Sequence, residues 1–220
     1  DVYKRQGEIS APAALNISIT AVNDTPVVAP DAQEVNEDNP ASGNLLANDS
    51  DVDTALDGDV LTVTQFSVDI AGTPTNVIIP NGGSSTPTLI KDAVGKDIGT
   101  LVVSSDGNFS FTPVQDYTGA VPTITYTVDD GTGTANASTT STLNITVKPV
   151  NDAPVAVAPS PVGNEDAASI PVNLSGTDVD GTVNTVTVNT LPPVSQGVLY
   201  LADGTTPVTA FHVLTTAEAA

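Results

Sequence analysis

The chain has 220 residues, with 26 acidic against 5 basic side chains, a formal net charge of −21, and no Cys, Met or Trp. Such a surface is ill-suited to neutralising phosphates, which argues against nucleic acid as a partner, and equally against an anionic membrane surface. Without Cys there is no zinc finger, thiol catalyst or iron–sulfur site, and no run reaches the roughly 18 apolar residues that span a bilayer, so no membrane insertion is expected.

Only five of the acids are Glu; the rest are Asp. Asp is poor in helices and strands but good in turns and as an oxygen ligand, so this excess points to cations. Hydrophobic content of 39% is enough for a folded core. Residues 1–6 (Asp1-Val2-Tyr3-Lys4-Arg5-Gln6) differ in character from the rest of the chain and hold two of the five basic residues. They read as non-native terminal sequence.

Along the chain, short runs of Val, Ile and Thr alternate with polar residues, and turn residues separate them. This is the pattern of half-buried strands. The clearest predicted strands are Val60–Phe66, Thr100–Val103, Asn108–Thr112, Thr123–Val128, Ser141–Val147, Thr182–Val188 and Gly197–Leu201. Asp-Gly pairs at 106–107, 130–131, 180–181 and 203–204 supply tight turns. Residues 72–88 read as a loop or an extra hairpin. A single helical turn is expected from Thr215 or Thr216, either of which can act as an N-cap.

The chain also repeats itself. Leu15-Asn16-Ile17-Ser18-Ile19 and Val22-Asn23-Asp24-Thr25-Pro26 return as Leu143-Asn144-Ile145-Thr146-Val147 and Val150-Asn151-Asp152-Ala153-Pro154, 128 residues later. Asn36-Glu37-Asp38 returns as Asn164-Glu165-Asp166, and Asp51-Val52-Asp53 as Asp178-Val179-Asp180. Fixed-period similarity marks tandem units. The units divide as residues 7–25, the closing strands of a preceding repeat with its linker; 26–149, a complete repeat; and 150–220, a linker with the opening part of a third. The chain is expected to be a window of a longer repetitive protein.

The ordered motifs resemble the cadherin-like, immunoglobulin-like repeats of large bacterial surface proteins, the group that includes VCBS-type repeats. The resemblance rests on Asn36-Glu37-Asp38, the stretch from Asn44 to Asp53, Asp57-Gly58-Asp59, the stretch from Asp106 to Pro113, Asp116-Tyr117-Thr118-Gly119, the stretch from Tyr126 to Gly131, and the Val-Asn-Asp-x-Pro linkers. It implies an all-β fold of tandem antiparallel β-sandwich modules, with seven to nine strands in residues 26–149. It also implies calcium at the junctions between units, because in cadherins an early Glu, an Asp-x-Asp loop and an Asn-Asp linker converge there. Carried over residue by residue, the first junction takes Asn23, Asp24, Glu37, Asp51 and Asp53, completed by Asp129 or Asp130. The second takes Asn151, Asp152, Glu165, Asp178 and Asp180. Calcium takes 6–8 oxygen ligands in a flexible shell, which suits such a set. Ala21 and Pro149 stand where cadherin linkers carry an acid. The alternative is that these residues only make turns. The run Asp49, Asp51, Asp53, Asp57 and Asp59 resembles an EF-hand loop but has Thr54 in place of the Gly, and is read as part of the junction.

An enzyme is not expected. His212, the lone His, lies between Phe211 and Val213 in a strand-like run, where packing is commoner than base catalysis. With no Trp, a sugar-stacking platform is lacking. Phe109, Phe111, Tyr117 and Tyr126 read as core or corner residues. The resemblance implies a stalk segment of an extracellular, cell-surface adhesin exported by a type I-like route and serving adhesion or biofilm formation. Its partners would be neighbouring repeats and a surface or glycan target. The alternative is a carbohydrate- or protein-binding module of a secreted enzyme or scaffold.

Overall fold

A computed structural model describes residues 15–20, 22–55 and 58–219. The terminal hexapeptide, Ala21 and Asp57, all singled out by sequence, lie outside the described residues. The protein is all-β. Its strands are β1 (Asp31–Asn36), β2 (Ala41–Asn44), β3 (Thr62–Ile70), β4 (Thr73–Ile78), β5 (Thr88–Lys91), β6 (Asp97–Val103), β7 (Asn108–Pro113), β8 (Gly119–Ala120), β9 (Ile124–Asp129) and β10 (Ser138–Lys148). Four shorter strands complete the order: β11 (Val155–Val157), β12 (Ser175–Thr177), β13 (Thr185–Val188) and β14 (His212–Thr215).

The first ten strands form two sheets. The larger runs β1-β10-β9-β3-β4, with β8 also pairing with β10; the smaller runs β2-β7-β6-β5. Period-two burial shows why they face each other. β7 alternates exposed and buried residues through Phe109, Phe111 and Pro113, and β10 does so through Ser141, Leu143, Ile145 and Val147. The inward residues Phe66, Tyr126, Ile124 and Leu143 of one sheet meet Ile90, Ile98, Leu101 and Phe111 of the other in one core. Each such apolar side chain contributes about 1.5–3 kcal/mol by leaving water. Gly99 in β6 leaves room for the ring of Phe111 on the neighbouring strand β7: a Cβ there would lie 2.3 Å from that ring.

Three features refine or overturn what the sequence pattern predicts. The residues from 72 on begin with a strand, so of the loop and the hairpin it is the hairpin, β3–β4, that forms. Ala71 and Gly72 make its two-residue turn, both at positive φ (54° and 79°) as a type I′ turn requires. Gly197–Leu201 is not a strand; only Tyr200 forms a bridge, to Pro207. Residues 15–20, expected as a closing strand, form no ladder among the described residues, and Leu15, Ile17 and Ile19 are exposed. A strand needs a neighbour to take its backbone hydrogen bonds.

Among the described strands, one pair is not antiparallel. β1 runs parallel to β10, from Asp31 opposite Leu143 to Asn36 opposite Lys148, and Lys148 pairs with Glu34 across that register. Both strands therefore end at the same pole of the sandwich. At the other end, β10 begins beside Asp129, where β9 finishes. The 11 residues of β10 separate the poles by roughly 35 Å at about 3.3 Å per residue.

Beyond the second linker, β11 pairs with β12 and β13 with β14. Only Val208, Leu214 and Ala219 are buried hydrophobics there among the described residues. The expected helical turn starts at Thr215, whose backbone N–H (2.9 Å) and hydroxyl (2.8 Å) both bond to the Glu218 carboxylate. With Glu218 and Ala219 N–H both donating to Thr215 O at 3.0 Å, these bonds close a single hydrogen-bonded turn directly after β14, not a helix.

Candidate metal centre

Acidic groups gather at both poles of the sandwich. At the first, the linker residue Asn23 donates from its amide to Asp130 Oδ2 at 2.9 Å, and Asp24 N–H donates to Asp53 Oδ2 at 2.7 Å. Asp53 opens a short 3-10 turn (Asp53–Ala55) and donates its own N–H to Asp51 Oδ1 at 2.8 Å. Asp130, directly after β9, is almost fully buried. Burial opposes its ionisation, but the Thr132 N–H, the Asn23 amide and the Thr132 hydroxyl outweigh that and hold its carboxyl below the usual range. Asn23, Asp24, Asp51, Asp53 and Asp130 therefore form one set. Between Asp129 and Asp130, the structure puts Asp130 at the linker; Asp129 accepts the Gly131 N–H within its own turn.

Glu37 is not in that set. The parallel β1–β10 pairing carries it to the opposite pole, where its N–H donates to Lys148 O at 2.8 Å and its Oε1 accepts the Val150 N–H at 2.6 Å. There Glu37, Asp116 and Asp152 each offer a carboxylate oxygen, all within 4.8 Å of one another. Asp152 N–H donates to both Asp180 oxygens at 3.3 Å. This repeats the bond from Asp24 to Asp53 one unit on. Asn151 likewise repeats Asn23, its amide donating to Asp152 O at 2.6 Å. Desolvation, then the charges of Asp116, Asp180, Glu37 and Asp38, push the Asp152 carboxyl above its ordinary value. Asp178 closes its own turn with the Gly181 N–H at 3.0 Å. Glu165 is exposed and makes no bond to this group among the described residues; its counterpart Glu37 sits at the exit of its unit.

Sequence reasoning misses Asp116 and Asp38. Asp116 N–H donates to Asp38 Oδ1 at 3.1 Å, and both residues hold positive φ, 58° and 60°. Asp adopts this left-handed conformation more readily than most residues. The signal available was the motif Asp116-Tyr117-Thr118-Gly119, and the return of Asp38 as Asp166, which also has positive φ, 65°.

The second pole fits a calcium ion. Two oxygens each about 2.4 Å from one ion lie at most about 4.8 Å apart, and the three carboxylates meet that limit. Among the described residues, the buried oxygens Asp152 Oδ2 at this pole, Asn23 Oδ1 and Asp51 Oδ2 at the first, and Asp49 Oδ2 beside the entry to β1 have no hydrogen-bond partner. Unpaired buried oxygens are costly and rare in folded proteins, and a cation would satisfy them. Asp49, grouped with the junction acids by sequence, serves another end: its Oδ1 takes the Ala29 N–H at 2.9 Å and braces the entry to β1.

A two-sheet sandwich with a parallel first-to-last strand pair and acidic linkers at its poles defines a cadherin-like module. A profile of the bacterial cadherin-like domain matches residues 23–149, more than half of the chain, and the chain belongs to that family. No curated protein matches the chain.

Proposed function

We propose that the chain is a stalk segment of a bacterial extracellular adhesin, in which tandem cadherin-like units are stiffened by calcium at their junctions and hold an adhesive element away from the cell. The carrying observation is the convergence of Glu37 and Asp116, from the sandwich, with Asp152, from the linker. Asp180 stands on the far side of that linker residue. The ligands are thus drawn from both sides of Val150–Pro154. Metal-free, the carboxylates repel one another, as the raised Asp152 carboxyl reflects, and the linker is free to bend. Bound calcium would supply the positive charge that turns this repulsion into a cross-link, and would stabilise only the assembled geometry. The first pole offers Asn23, Asp24, Asp51, Asp53 and Asp130 for the same purpose.

Small-angle scattering of the 220-residue chain, with millimolar calcium and with chelator, tests this reading. Calcium should lengthen and narrow the distance distribution of the parent. It should do so much less for an Asp116→Asn/Asp180→Asn variant. Identical curves for the parent in both conditions would mean that the acids only form turns.

A further inference from the structure

We propose that Asp38 is a positioning residue for the acidic set at the second pole. Its side chain ties the turn that carries Glu37 to the turn that carries Asp116, and so fixes the spacing of the two carboxylates that the sandwich offers to a cation. This role rests on the calcium reading of that pole. It falls to a residue that is not itself one of the three convergent carboxylates.

Glu37 and Asp116 arrive from different sheets. Glu37 follows β1 of the larger sheet, on the way to β2; Asp116 follows β7 of the smaller sheet, on the way to β8. Each lies in a tight turn closed by its own bond, Asn39 N–H to Asn36 O at 3.3 Å and Tyr117 N–H to Val114 O at 3.2 Å. Those bonds shape each turn but leave the gap between the turns open. The bond from Asp116 N–H to Asp38 Oδ1, at 3.1 Å, crosses that gap. It pins the Asp116 backbone and leaves the Asp116 carboxylate to face Glu37 and Asp152.

The choice of residue supports the role. Asp38 and Asp116 each take the third position of their turns, at φ of 60° and 58°. Gly is the usual residue there, yet Gly would offer the Asp116 N–H no oxygen. Asp38 is exposed, so packing does not account for it. The next unit repeats the turn: Ala167 N–H bonds to Asn164 O at 3.3 Å, and Asp166 has φ of 65°. Carboxylates repel one another and move apart unless the chain holds them. With the tie in place, an ion meets two ligands already spaced, and less ordering is left to oppose its binding.

The test is a calcium titration of the whole chain, followed by NMR at the amide signals of Val150 and Asp152, which belong to the second pole. Asp38→Asn keeps an oxygen for the Asp116 N–H, and Asp38→Gly removes it. Both replacements accept the positive φ, so the turn survives in each. The Gly variant should bind calcium roughly tenfold more weakly at this pole, with the Asp116 amide signal displaced even in chelator. The Asn variant should stay much closer to the parent on both counts. Equal weakening in the two variants would mean that Asp38 acts through its charge alone, and overturns the role. Unchanged affinity in the Gly variant overturns it too, while a parent that still responds to calcium keeps the junction reading. A parent whose Val150 and Asp152 signals ignore calcium overturns that reading, and the role of Asp38 with it.

Discussion

Glu37 Oε1 accepts the backbone N–H of Val150 at 2.6 Å, across 113 residues of sequence. The bond joins the end of the first strand to the exit of the last, and only a parallel β1–β10 pair can bring those two ends together. Glu37 is 5% exposed, so one carboxylate both anchors the departing linker and faces Asp116 and Asp152. The position of the linker and the composition of the acidic set thus depend on one side chain.

Replacing that side chain should separate its two roles. Glu37→Gln keeps an oxygen for Val150 and removes the charge, whereas Glu37→Ala leaves the Val150 N–H unpaired. In chelator, Ala should cost about 1–3 kcal/mol of stability and Gln clearly less. Urea denaturation of the two variants measures this. Equal losses would show that the bond to Val150 contributes nothing.

Tyr126 is fully buried, and its hydroxyl donates to Asp31 Oδ2 at 2.6 Å, with Leu45 O at 3.3 Å. Burial and the Asp31 carboxylate push its phenol well above the ordinary value. Tyr117 is the more exposed corner, donating to Ala120 O at 2.8 Å. Tyr126→Phe leaves Asp31 without its main donor and should cost about 1–3 kcal/mol; Tyr117→Phe should cost about 1 kcal/mol or less. Comparable losses in thermal melts would contradict the assigned difference in burial.

Carboxyl groups set a pH dependence of definite sign. Asp31, Asp49 and Asp152 are all raised above 3.8, desolvation being the first cause in each. The folded state therefore holds their protons more tightly than the unfolded state, and stability falls as pH rises from 3.8 through the raised values. Asp130 and Asp203 are lowered, the latter to about 2, and so is Glu218 beyond the second linker, so the contribution of the two Asp is lost only as pH falls below 3.8 and that of Glu218 as it falls below 4.5. Metal-free thermal midpoints should therefore decline on the high side of 3.8, and Asp152→Asn should flatten part of that decline. A midpoint that climbs steadily with pH would reverse the assignment.

Much of this was legible in the sequence, for identifiable reasons. Alternation exposed β3, β6, β7, β9 and β10, because each has one face in the core. β1 and β2 carry Asp, Glu, Asn, Ser and Gly rather than β-branched runs, so periodicity passes over them; they are strands because neighbours supply their ladders. The acidic linkers were visible as a repeat. Their sorting into two poles was not, since linear spacing placed Glu37 beside Asp24 while the parallel register sends it to the other end. Asp116 escaped because no spacing rule connects it to Asp152; only the fold does.

Gly99 tests how closely the Phe111 ring packs over the neighbouring strand of its own sheet. An added Cβ would meet Phe111 Cζ at 2.3 Å and Thr112 O at 2.7 Å, and neither the ring nor the backbone can yield within a packed core. Gly99→Ala should destabilise residues 31–148 by about 1–3 kcal/mol or more. Gly95, with open space around it but φ of 87°, should lose about 1 kcal/mol on the same change, through backbone strain alone. Calorimetry on both variants distinguishes overpacking from strain.

Residues 150–219 should unfold before the sandwich does. Their two strand pairs bury few apolar side chains, and Val155, Val157, Tyr200, Phe211 and Val213 stay exposed. Local stability follows such burial. Hydrogen exchange should show weaker protection in β11–β14 than in β6, β7, β9 and β10. Equal protection throughout a monomeric sample would refute this.

Asp116→Asn gives the sharpest single-residue test of the second acidic set. Asp116 is one of three carboxylates within 4.8 Å, and after desolvation its charge does most to raise the Asp152 carboxyl. Removing its charge relieves repulsion in the absence of a cation, so the variant should be as stable as the parent or slightly more stable in chelator. The same change removes a ligand charge, so the stabilisation that millimolar calcium gives the parent should shrink. Raising calcium to 100 times its dissociation constant stabilises by about 2.7 kcal/mol, and a variant with tenfold weaker binding would lose about 1.4 kcal/mol of that. The two effects have opposite signs, so a merely structural role for Asp116 cannot imitate them. Melts of parent and variant, each with chelator and with calcium, complete the cycle. If the variant is destabilised equally in both conditions, Asp116 supports its turn and holds no ion.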